Sequence, residues 1–184
     1  DRFSWFIEDY VEQQKSFQGI SVTTGIRRST PIKIAENVII IYAQHVSTGS
    51  PADIAGIKRG DIINAIDGEI MNETNYAQVI NKLYNGNTII VSTAKLENDG
   101  SLTKLNDFTV TPAEVSDNPV HFTKVFDDID GKKVGYLVYN GFRSSYNDEL
   151  NAAFETFKGA GVTELVLDLR INGGGSVETS AFLA

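Results

Sequence analysis

Apolar residues along the chain change their spacing several times, and each change predicts a different kind of element. Phe3, Phe6, Ile7, Tyr10 and Val11 recur on one helix face, with Glu8, Asp9 and Glu12 between them. This predicts an amphipathic first helix, with Ser4 placed to cap it. From residue 17 to 114 the pattern shortens to strand-length runs and turns. Residues 19–25, 37–42 and 61–66 are rich in β-branched side chains and predict strands. Between them, Ser50, Pro51 and Gly56 bracket a capped helical turn, with proline at its first position and glycine at its end. Residues 74–84 place Tyr76, Val79, Ile80 and Leu83 on one helical face, and Asn85-Gly86 stops that helix. Residues 88–96 and 102–110 predict a hairpin around Asn98-Asp99-Gly100.

Ser116-Asp117-Asn118-Pro119 is polar, contains proline and falls at a change of pattern, so it predicts a boundary. Beyond it, residues 120–126 and 134–139 predict strands joined through Asp130-Gly131. A helix follows, with Leu150, Ala153, Phe154 and Phe157 on one face and Gly159 to Gly161 ending it, and then a strand over residues 165–169. Strand, helix, strand is a βαβ unit. The last strand runs directly into Gly173-Gly174-Gly175 and a segment of helical composition. Successive residues without a Cβ leave the backbone N–H groups open to a ligand. Such donors suit an anion, or an oxygen that becomes negative during a reaction. The expected fold class is therefore mixed α+β and α/β. A helical segment over residues 1–16 precedes a β-rich domain over 17–115, and the βαβ start of a further domain occupies 120–184.

Composition narrows the function classes. The 184 residues are 41% apolar and 22% charged, which is ordinary for a soluble globular protein. A formal charge of −8, with basic pairs such as Lys58-Arg59 and Lys132-Lys133 but no basic run, argues against a nucleic-acid surface. The absence of cysteine excludes disulfides, thiolate zinc sites and cysteine nucleophiles. The apolar run from Val38 to Ala43 is far too short to span a bilayer. Asp1 opens abruptly inside a predicted helix, so the sequence is expected to be a piece of a longer chain whose targeting segment, if it had one, is gone.

Several other chemistries fail on their spacing. Gly173 and Gly175 follow a strand, but Glu178 stands where a dinucleotide fingerprint needs its third glycine, and a carboxylate there repels a pyrophosphate. No Gly-Lys-Ser/Thr follows, so there is no P-loop. Setting Asp128 and Asp130 into a calcium loop puts Phe126 and Leu137 at ligand positions, so the segment reads as a hairpin turn. His45 and His121 are the only histidines; neither lies near a nucleophile elbow, and they make no zinc site with carboxylates. Asn72-Glu73-Thr74 is a glycosylation triplet of a kind that chance supplies often. No metal or cofactor is expected.

Four segments resemble the C-terminal processing peptidases, or tail-specific proteases, which are serine peptidases with a PDZ domain set before a crotonase-like catalytic core. They are Asp1-Arg2-Phe3-Ser4, then Phe17-Gln18-Gly19-Ile20-Ser21-Val22, then the stretch from Val46 to Gly68, and Leu165-Val166-Leu167-Asp168-Leu169-Arg170-Ile171-Asn172-Gly173-Gly174-Gly175. The stretch from Val46 is the most specific match. Ser21 departs from the pattern, standing where the PDZ carboxylate loop usually has a second glycine. The resemblance implies a peptide groove in which Gly19, Ile20, Ser21 and Val22 receive a terminal carboxylate. Ile20, Val22, Val79 and Leu83 would then line an apolar pocket, an arrangement that also suits strand addition beside a helix. The alternative is that they are plain core residues, which apolar periodicity does not distinguish. The resemblance implies Gly174 as an oxyanion-hole donor, with the catalytic serine and lysine on later elements beyond Ala184. Asp168 and Arg170 read as an ion pair holding the turn, Ser176 as a helix cap and Ser180 as a residue on that helix. The chain by itself is therefore expected to be inactive. The implied partners are polypeptide substrates or protein C-termini, and the implied location is the periplasm or cell envelope of a bacterium. The alternative is a non-catalytic PDZ module on a crotonase-like scaffold.

Overall fold

The computed structural model describes residues 9–184. Phe3, Phe6, Ile7, the Ser4 cap and the Asp1-to-Ser4 motif therefore lie outside the described residues. Helix α1 spans Tyr10–Phe17. The Asp9 carboxylate accepts from the backbone N–H of Val11 at 2.9 Å and of Glu12 at 3.1 Å, so Asp9 caps the helix instead of lying within it. Tyr10 and Val11, expected on the apolar face of an amphipathic helix, are both exposed, and α1 buries none of its residues.

The chain divides into two compact units, one of Ser21–Val115 and one joining the segment ahead of it to Ser116–Ala184. In the first, β2 (Ile26–Arg28), β4 (Val38–Val46), β5 (Ile62–Ile66), β7 (Ile89–Leu96) and β8 (Leu102–Val110) form one antiparallel sheet in that order. Short strands β3 (Ile32–Ala35) and β6 (Glu69–Ile70) pair with β4 and β5. β1 (Ile20–Thr23) pairs separately with β9 (Ala113–Ser116). Strands β2, β3, β6 and β9 were not anticipated; they are too short for periodicity to register. Helix α2 (Pro51–Ala55) starts at Ser50, whose hydroxyl accepts from the Asp53 N–H, and ends at Gly56. Helix α3 (Tyr76–Asn81) continues through a tighter turn at Lys82–Tyr84 and packs against β5. Ile41, Ile63, Ile66, Met71, Val79 and Val91, all without solvent exposure, make the core of this unit. No helix among the described residues is long and apolar enough to cross a membrane.

In the second unit, β10 (Val120–Ile129) and β11 (Lys132–Tyr139) form a hairpin through Asp130-Gly131, where the Asp128 carboxylate accepts from the Gly131 N–H. Helix α4 (Asn147–Gly159) then returns the chain to β12 (Glu164–Asp168), which runs parallel to β11 from Val134↔Glu164 to Val138↔Asp168. This is the expected strand, helix, strand order. Gly135 on β11 lets the α4 ring of Phe157 come within 3.2 Å of where a Cβ would stand. Leu137, Tyr139, Leu150 and Phe157 form the core between sheet and helix. Ser176 caps the short last helix α5 (Val177–Leu183), its hydroxyl accepting from the Thr179 N–H at 3.2 Å.

Candidate active-site turn and peptide groove

The turn after β12 is fixed from both ends. At its start, the carboxylate of Asp168 is buried and fully engaged. It accepts from Arg170 Nε at 2.9 and 3.0 Å, from Arg170 Nη2 at 2.5 Å, from the Tyr136 hydroxyl at 2.6 Å and from the Arg170 backbone N–H at 3.1 Å. The Arg170 guanidinium, then the Tyr136 hydroxyl, hold its carboxyl well below the usual carboxylate range. Asp168 in turn pushes up both the Arg170 guanidinium and the Tyr136 hydroxyl. This is an ion pair that holds the chain as it leaves the sheet.

Further along, Asn172 bridges two pieces of backbone. Its Nδ2 donates to the Tyr139 carbonyl at 2.9 Å, and its Oδ1 accepts from the Gly174 N–H at 2.8 Å. The Gly173 N–H reaches the Asn140 carbonyl at 3.3 Å. The segment after β11 then pairs with the turn: Phe142 N–H donates to the Gly174 carbonyl and Ser176 N–H to the Phe142 carbonyl, both at 2.8 Å. This is a parallel bridge between Phe142 and Gly175. In such a bridge the groups flanking the central residue face the partner, and its own N–H and C=O face the other way. Gly175 has a φ of 137°, and a Cβ there would collide with the Phe142 carbonyl.

The expectation that Gly174 offers the open donor is thereby corrected. Its N–H is spent inside the turn on Asn172, and the N–H without a partner among the described residues is that of Gly175. The sequence held a signal for this. Asn commonly bonds the N–H two residues ahead of it, and Asn172 stands two residues before Gly174. A cavity of about 400 Å³ opens beside the turn, bordered by Ser16, Phe17, Phe142, Arg143, Gly175 and Ser176 among others. Neither nearby hydroxyl is set up as a nucleophile: Ser176 caps α5, and Ser180 Oγ donates to the Val177 carbonyl at 2.7 Å.

The residues expected at the peptide groove separate into open and closed sets. β1 has only β9 as a strand partner, so its second edge carries no strand among the described residues. Val22 is 61% exposed and Ser21 is exposed, while Ile20 is half-buried. Val79 and Leu83 are correctly placed on the inward face of their helical segment, but both are sealed in the core and form no open wall. The 3.6-residue period marks an inward face without saying whether it meets a cleft or a packed interior. The Gly19 N–H donates to the Ser16 carbonyl at 3.0 Å and is not available to a ligand. His45 is buried, with Nε2 3.5 Å from the Ser47 hydroxyl.

The sequence model for peptidase family S41 matches residues 133–184, and that for a PDZ domain matches residues 44–92. A chloroplastic carboxyl-terminal-processing peptidase 2 of Arabidopsis thaliana is 30% identical over 166 residues, covering 89% of this chain and 31% of its own. A carboxyl-terminal-processing protease of Picosynechococcus is 28% identical over 141 residues, 74% of this chain and 32% of its own. Among solved structures, a Bacteroides fragilis protein described as an S41 protease superposes with a TM-score of 0.68 at 28% identity, covering 98% of this chain and 51% of that one. The chain belongs to peptidase family S41, in its group of C-terminal processing peptidases with a PDZ domain. It spans about a third of the length of the curated relatives it matches.

Proposed function

We propose that the chain is the PDZ domain and the opening part of the crotonase-like core of a serine endopeptidase. This enzyme recognises C-terminal or unfolded segments of proteins in the cell envelope or periplasm. The observation that carries the reading is the turn at Gly173–Gly175, where lacing to Phe142 leaves the Gly175 N–H unspent beside a cavity. A fixed backbone donor of this kind stabilises the oxyanion formed when a peptide carbonyl is attacked. We assign that donation to Gly175, with Asn172 and Phe142 as the groups that aim it. The attacking serine and a lysine base are supplied by residues outside these 184, since Ser176 and Ser180 are committed to α5 and neither is bonded to a lysine or histidine among the described residues. Purified chain should leave casein intact near neutral pH, and the longer protein should cleave it. Cleavage by the chain that is lost in Ser176→Ala would show the nucleophile to be misplaced. Failure of the longer protein to cleave would favour the non-catalytic PDZ module.

The groove is tested separately. The open edge of β1, with the exposed Val22 and the backbone of Ile20 and Ser21, suits strand addition by a peptide that ends in an apolar residue and a free carboxylate. Affinity should be on the order of micromolar, as for short ligands with one main anchor. Amidating the peptide terminus should weaken it, because the loop loses a charged acceptor. Equal affinity for acid and amide by calorimetric titration would overturn the carboxylate-loop assignment.

A further inference from the structure

The cavity beside the triglycine turn has an unusual charge character for so acidic a chain. The formal charge is −8 overall, yet among the described residues this cavity is lined by one cation, Arg143, and no carboxylate. Ser16, Ser144, Phe17 and Phe142 also border it. Arg143 is firmly held yet incompletely used. Its side chain is 21% exposed; Nη1 donates to the Asp117 carbonyl and lies 3.4 Å from Asp117 Oδ2. The N–H groups of Nε and Nη2 have no acceptor among the described residues. That edge of a guanidinium is the one that matches the two oxygens of a carboxylate. The second unspent donor on the same cavity is the Gly175 N–H.

We propose that this cavity holds the free α-carboxylate of a peptide, as found at the end of a newly cut chain. Arg143 supplies the charge, the Gly175 N–H supplies a second hydrogen bond, and Phe17 and Phe142 receive the apolar side chain next to the carboxylate. Arg143 is then a specificity-determining residue, favouring a peptide end over a mid-chain amide. The inference rests on the peptidase reading above and adds to it a product-holding site separate from the PDZ groove.

The test is a titration of the isotope-labelled chain with N-acetyl-Ala-Leu as free acid and as amide, at low ionic strength, followed by amide and Arg Nε–H resonances. The acid should shift Gly175 and Arg143 Nε–H with millimolar affinity, and the amide should bind at least about tenfold more weakly, the loss expected for one charge-assisted pair. Arg143→Gln should abolish the shift at Gly175. Asp117→Asn, which removes the competing anion and keeps the guanidinium, should preserve or strengthen it. Equal response to acid and amide at Gly175 in the unaltered chain overturns the proposal, as does a response that survives Arg143→Gln. Shifts confined to Ser21 and Val22 would leave the groove standing and sink this site. A response at Gly175 in a protein that fails to cleave casein would leave this site standing and sink the peptidase reading.

Discussion

Replacing Gly175 by alanine should destabilise the unit that contains it by roughly 2–4 kcal/mol, a cost typical of strain at a glycine-only backbone position compounded by a clash. Two effects act together. The φ of 137° lies where L side chains rarely go, and the new Cβ would meet the Phe142 carbonyl, which is the acceptor that holds Ser176. Moving that carbonyl releases the Ser176 N–H and with it the start of α5. Gly174→Ala is the control. Its φ of 92° is also left-handed, but nothing lies within 4 Å of its ideal Cβ, so it should lose only about 1 kcal/mol from backbone strain. Urea unfolding of the two variants decides the matter. Equal losses would mean that the bridge to Phe142 does not hold the turn. In the longer protein, Gly175→Ala keeps the N–H but displaces it as the backbone yields to the clash, so kcat should fall by up to about 10²–10³, the loss seen when one such donor is removed outright.

Asp168→Ala is expected to cost about 2–3 kcal/mol, because it removes a buried ionised acceptor and leaves the Tyr136 hydroxyl and the Arg170 backbone N–H without it. Little of this comes from the exposed guanidinium of Arg170, whose side chain is 71% exposed and largely screened by water. High salt should therefore reduce the effect only slightly. The pH dependence has a definite sign. The Asp168 carboxyl titrates lower in the folded chain than in the unfolded one. Its contribution is fully present above the unfolded value near 4 and is lost as pH falls from there toward the depressed folded value. The stability gap between the chain and Asp168→Ala, measured by urea unfolding, should be constant from about pH 5 to 8 and narrow below about pH 4. A gap that instead widened on acidification would rule out the ionised carboxylate as its source.

Long elements with a clear period were legible from the residues alone. The hairpin of β7 and β8, the capped α2 and the crossover from β11 through α4 to β12 all follow from side-chain spacing and turn residues. Glycine and aspartate at Asp67-Gly68 and Asp130-Gly131 have positive φ, as their turns require. What escaped has two physical causes. β2, β3, β6 and β9 hold two to four residues each, too few to display an alternation. The other cause is that hydrogen bonds between distant residues leave no local trace. Asn172 marks the Gly174 N–H as spent, but nothing near Gly175 tells how its own N–H is directed; that depends on the bridge to Phe142, more than thirty residues earlier. Val79 and Leu83 show the same limit, since facing inward is local and facing a cleft is not.

The bonds that set the turn also govern when it comes into being. Asn140, Tyr139 and Phe142 lie on one side of the crossover and residues 172–176 on the other, so every tie between them closes a loop that contains the whole of α4 and β12. Closing such a loop costs chain entropy that is repaid only after the strands have docked, which places the turn among the later contacts to form. During synthesis, Phe142 emerges well before Gly175 and waits without its partner. The donor geometry at Gly175 thus appears only when the crossover is complete, and a chain still lengthening past α4 carries no such site to act on its neighbours.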